Sequence, residues 1–146
     1  MSSSFLSQQE QQQIIEAIQQ AEKNTSGEVR VHMEPHCAGD PVVRAREVFE
    51  QLRMHETALR NGVLFYVAYE DHRLAVIGDK GIHECVGDYF WQSEITLLKE
   101  YFKRNEYAAG ISAAIAVAGE KLKHYFPFQS DDKDELSNDI SFGGKS

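Results

Sequence analysis

Between residues 78 and 88 the chain reads Gly78-Asp79-Lys80-Gly81-Ile82-His83-Glu84-Cys85-Val86-Gly87-Asp88, which brings the carboxylates of Asp79, Glu84 and Asp88 together in one glycine-punctuated stretch. Carboxylates combined with flexible backbone carbonyls are the oxygen donors that a hard divalent cation takes, and calcium, as one or two ions, suits them best. Like charges held together repel, so a bound cation would stabilise the stretch and its removal would loosen it. The plainer alternative is that Asp88 caps the helix that follows, while Asp79 and Glu84 are solvated loop residues.

Two further constellations invite comparison. Glu70-Asp71 sits at a hairpin turn, where Asp is favoured because it bonds its own backbone. His32, His36 and Cys37 have the donor types of a transition-metal site, but Pro35 separates the two histidines and no fourth ligand is near in sequence. The common catalytic templates are missing: there is no G-x-S-x-G elbow, G-x-x-x-x-G-K loop or C-x-x-C pair, and His83-Glu84 leads to Gly87 where a zinc helix needs histidine. An EF-hand started at Asp132 has Ser137 at position six and Gly143 at position twelve, in place of glycine and glutamate. The aromatic residues Phe90, Trp91, Tyr101 and Phe102 read as core, since Trp91 and Phe102 fit one helical stripe.

The elements that must position these groups follow from periodicity. Ile14, Ile15, Ile18 and Ala21 recur at helical spacing between Leu6 and Lys23, and Asn24-Thr25-Ser26-Gly27 stops that helix. Val29, Val31 and Met33 alternate with Glu28, Arg30 and His32, the pattern of a strand with one wetter face that ends at Pro35. Asp40-Pro41 opens a second helix running to about Met54. Gly62 to Ala68 is apolar throughout, as in a central strand covered on both faces, and Leu74 to Ile77 returns as its hairpin partner. Residues 78 to 87 read as loop, a third helix follows Asp88, and a fourth follows the break at Asn105. The fold class is therefore α/β: a three-layer α/β/α sandwich whose small mixed central sheet, of about four strands, is flanked by helices. The fourth strand comes from residues 82 to 86 or from 140 to 142. Residues 1–126 form one domain, and the acidic segment 127–146 forms a C-terminal tail, mobile by composition.

Composition narrows the partners. At 146 residues, 42% hydrophobic and 26% charged, the chain can bury a core without a disulfide scaffold, and its two cysteines, Cys37 and Cys85, agree with a reducing compartment. A net charge of −8 repels nucleic-acid phosphates and anionic membranes. No apolar run approaches the length of a membrane span, so the expectation is a soluble cytoplasmic protein that binds neither nucleic acid nor bilayer. The acidic run from Asp131 to Asp139 would suit a basic protein partner.

Arg60-Asn61-Gly62-Val63-Leu64, Asp71-His72-Arg73 and Gly78-Asp79-Lys80-Gly81-Ile82 through Asp88 resemble the TPM domain family over most of the chain, and the closing Phe126-Pro127 and Ile140-Ser141-Phe142-Gly143 are similar to the ends of its short bacterial members. The resemblance implies a sheet between helices, divalent-cation binding at acidic loops and, for plant-type members, a metal-dependent acid phosphatase acting on phosphomonoesters. Arg60 stands where the family carries Asp, and His83 where it carries Glu. Asp88 keeps the family's acidic position, and Asp79 and Glu84 supply what the two departures remove. The expected function is a metal-responsive binding module, with phosphatase activity as the alternative.

Overall fold

The computed structural model describes residues 5–87, 89–128 and 137–143. Helix α1, Gln8–Glu22, begins with a capping box in which the Ser7 hydroxyl accepts from the Glu10 amide and the Glu10 carboxylate accepts from the Ser7 amide. Its apolar stripe buries Ile14 and Ile18 completely. Strand β1, Glu28–Glu34, leads to helix α2, Pro41–Gln51, which is capped by Asp40 and has proline in its first turn. Helix α2 stops at Gln51, short of the end expected near Met54, and a separate 3-10 turn follows at Met54–Glu56. Strands β2, Gly62–Ala68, and β3, Arg73–Gly78, form the expected hairpin. Helices α3, Lys80–Val86, α4, Gln92–Lys103, and α5, Tyr107–Tyr125, follow, and strand β4, Ser141–Phe142, completes the sheet.

The sheet has the order β3-β2-β1-β4 and is mixed: β1 runs parallel to β2 and to β4, whereas β3 is antiparallel to β2. Each face carries its own core. Val29, Val31, Val63, Phe65, Val67 and Val76 pack under α1, α4 and α5, where Trp91 is also buried. Leu64, Tyr66, Ala68 and Ala75 pack under α2 with Val48 and Phe49. Alternate residues of β2 therefore serve opposite layers, which is why that strand reads as a continuous apolar run.

Three expectations change. The supposed wetter face of β1 is largely closed, because its polar side chains meet partners: His32 lies against Glu34 and Ser141, and Arg44 reaches Glu34 from α2; of Glu28, Arg30 and His32 only Arg30 is partly exposed. The stretch from 78 to 87 is not loop throughout, since a seven-residue helix occupies Lys80–Val86. Of the two candidate fourth strands, residues 140–142 supply it, with His32 opposite Ser141 and Met33 opposite Phe142. The remainder of the expected acidic tail, 129–136 and 144–146, lies outside the described residues.

Candidate functional site

At the end of β3 the chain turns directly into α3, and Asp79 occupies the turn. Its carboxylate accepts from the Lys80 amide at 2.7 Å and caps the helix, while its own amide donates to Gly62 O at 2.9 Å. Arg60 then forks onto both Asp79 oxygens, Nε to Oδ2 at 2.8 Å and Nη2 to Oδ1 at 3.0 Å. Such a bidentate pair fixes orientation as well as charge. The backbone holds the two partners in register: Gly81 N–H donates to Arg60 O at 2.8 Å. An added Cβ at Gly81 would stand 2.4 Å from Leu59 O and 2.6 Å from Arg60 O, so only glycine lets α3 lie this close to the 59–60 segment.

Of the three expected cation ligands, Asp79 is buried and tied to Arg60, and Glu84 is exposed on α3. Asp88 lies outside the described residues. The Asp79 fork, and beyond it the charge of Glu84, hold the Arg60 guanidinium more firmly protonated than usual. The charge demand expected of this acidic stretch is thus answered at Asp79 by a side chain from 19 residues earlier. Among the described residues no group of three or more His, Cys, Asp or Glu side chains is placed to hold a metal ion.

The histidine and cysteine trio is split. His36 pairs with Asp71, Nδ1 to Oδ1 at 3.1 Å, and Asp71 accepts from the Cys37 amide at 2.7 Å, so the hairpin-turn carboxylate braces the segment after β1. His32 belongs to a different group, centred on Glu34. Arg44 of α2 donates to Glu34 at 2.8 and 2.9 Å, His32 Nε2 lies 3.0 Å from Glu34 Oε1, and the Tyr66 hydroxyl donates to Oε2. His32 Nδ1 lies 3.0 Å from Ser141 Oγ, which joins β4 to the same network. Burial raises the Glu34 pKa, but the bonds from Arg44, Tyr66 and His32 outweigh it and hold the carboxyl down at about 2. Burial likewise lowers the His32 pKa against the pull of Glu34, favouring the neutral ring. The network has its partners within itself and reads as an internal brace.

A groove of about 780 Å³ runs along β3. Leu74 to Gly78 line it in unbroken succession, with Val42, Arg46, Phe49 and Glu50 of α2 on one side and Trp91, Gln92 and Ile95 on the other. Arg60, Asp79 and His83 stand along it as well, so the acidic stretch and the groove share one border.

A family model for the TPM domain matches residues 2–121. The chain belongs to the TPM domain family. The BA42 protein from the psychrophilic bacterium Bizionia argentinensis, whose structure was determined by NMR, is 45% identical over 98% of this chain and 99% of its own, with a TM-score of 0.90. No curated protein matches this TPM domain. The sandwich implied by the resemblance is the architecture observed. No helix among the described residues of the TPM domain is long and apolar enough to cross a membrane. Sequence reasoning missed Arg60 and Arg44 as partners of Asp79 and Glu34; Arg44 had one local signal, a cation within one helical turn of the start of α2 after an acidic strand end.

Proposed function

We propose that this TPM domain is a binding module whose acidic border responds to divalent cations, calcium foremost, as one or two ions drawn by Asp79, Glu84 and Asp88. The observation that supports this reading is the fork at Asp79. A carboxylate whose side chain is 6% exposed is held by a cation whose own side chain is 43% exposed, so one positive group can be exchanged for another without opening the core. The donor set fits calcium only through that exchange, because Arg60 takes both Asp79 oxygens. When bound, the ion would neutralise carboxylates that otherwise repel. Arg60 is the competitor, Asp79 the anchored oxygen donor, and Glu84 the carboxylate of α3 whose charge also acts on Arg60.

Thermal denaturation of the full chain in calcium and in chelator tests this. Binding to the folded state alone contributes RT ln(1 + [L]/Kd), about 2.7 kcal/mol at 100 Kd, or roughly 5–10 °C for a chain of this size. The shift should appear in the native chain and grow in Arg60→Gln, each measured against its own chelated baseline. A native chain unmoved by millimolar calcium defeats the reading, whatever the variant does.

A further inference from the structure

We propose that the open edge of the sheet receives an extended peptide segment of another protein, which adds beside β3 as a fifth strand. Strand β3 has β2 on one side and, among the described residues, no strand on the other. Its pairing fixes which groups are free. Asp79 stands opposite Gly62 and donates to its carbonyl, so Arg73, Ala75 and Ile77 also bond inward to β2, and Leu74, Val76 and Gly78 direct their N–H and C=O groups to the open edge.

Edges of this kind are normally guarded by proline, bulges or inward-pointing charge. Here the register runs unbroken from Val63 opposite Gly78 to Ala68 opposite Arg73, the strand has no proline, and its one charged residue, Arg73, donates its guanidinium to Gly39 O. The groove explains what takes the place of a guard. A cavity above one face of a strand touches alternate residues, whereas this one touches every residue from Leu74 to Gly78 and therefore lies along the edge itself. Its walls are α2 on one side and the start of α4 on the other.

The recess selects the occupant. A second copy would bring its own β3 flanked by its own α2 and α4, and helices would meet before the strands could pair. A single extended segment has no such flanks. Five residues of strand span about 17 Å, matching the Leu74–Gly78 lining. Its side chains would point alternately to the two walls. Trp91 and Ile95 on the α4 side call for apolar residues. On the α2 side, Arg46 and, one helical turn on, Glu50 have no ion-pair partner among the described residues, and they call for one acidic and one basic residue. The proposal stands whether or not calcium displaces Arg60, because none of these contacts requires the Asp79 fork to open.

The probe is the capped synthetic heptapeptide Thr-Val-Glu-Val-Lys-Val-Thr, titrated to millimolar concentration into the full isotope-labelled chain and followed by NMR and amide hydrogen exchange. In the free protein the amides of Leu74, Val76 and Gly78 should exchange faster than those of Ala75 and Ile77. Peptide should slow the first three, with saturable shifts confined to β3 and the two walls. Methylating the central valine nitrogen should weaken binding about tenfold, and so should Arg46→Glu, an exposed change that leaves the core intact. Unchanged exchange at saturation, or shifts centred elsewhere, overturns the proposal. Protection of the three amides that rises with protein concentration alone also overturns it, in favour of a second copy.

Discussion

Replacing Glu34 by glutamine removes one charge from the middle of the brace beneath α2, and the structure sets the size of the effect. The carboxylate side chain is 3% exposed and accepts from Arg44 twice, from His32 and from Tyr66. Its pKa falls from an ordinary 4.5 to about 2, which at 1.36 kcal/mol per unit corresponds to about 3 kcal/mol of stability near neutrality. Mutational experience agrees: removing one partner of a buried ion pair costs about 3–5 kcal/mol, because the other is left uncompensated. The sign follows from proton counting. The unfolded chain takes up a proton at Glu34 near pH 4.5 while the folded chain resists down to about 2, so this stability is complete above pH 4.5 and drains away as pH falls through that window. His32, with its folded pKa depressed below 6.5, adds a loss in the same direction that begins near pH 6.5. Urea denaturation monitored by the single tryptophan, Trp91, should show Glu34→Gln less stable by about 3–4 kcal/mol at pH 7, with a flatter stability profile than the native chain below pH 4.5. A loss under about 1 kcal/mol at pH 7, the scale of a surface pair, or an unchanged acid slope in the variant refutes the account.

Gly81→Ala should destabilise the chain by about 1–3 kcal/mol through overpacking, since the new methyl carbon meets two carbonyl oxygens of the 59–60 segment; a denaturation midpoint equal to that of the native chain would show that α3 can move away without loss. Lys121→Met removes the ammonium that lies 2.8 Å from Glu94, a fully buried carboxylate whose other oxygen has no hydrogen-bond partner among the described residues. That change should cost about 3–5 kcal/mol, and adding Glu94→Gln should recover more than half of it. A double-mutant cycle with no coupling would mean that the pair contributes nothing to the join between α4 and α5.

Much of the fold was legible because it is written in local periods. The stripe of α1, the Asp40-Pro41 start of α2 and the apolar run of β2 each specify their element with residues that later pack as their spacing suggests. Helix α3 was not legible, because Gly81 lowers helix propensity and its reason for being there, the nearby carbonyls of Leu59 and Arg60, lies some twenty residues back in the chain. The polar side of β1 was misread for a similar reason: His32 looks solvated until Glu34, itself held by Arg44 and Tyr66, and Ser141 close around it. At the candidate site the sequence showed an excess of negative charge and therefore a need for a cation. It did not show that Arg60, noted only as a departure from the family's acidic residue, sits on Asp79.

The placement of β1 also dictates the order in which the molecule can assemble. Its neighbours come from β2 and from β4, and the contact between His32 and Ser141 closes a span of 109 residues, while Thr25 reaches the carbonyl of Phe126 across 101. The β2–β3 hairpin needs no such closure and can form early, whereas β4 gains its sheet partner only when widely separated stretches of chain have already met. Strand β4 should therefore dock after the rate-limiting step, and substitutions in it should accelerate unfolding far more than they slow the search for the native state.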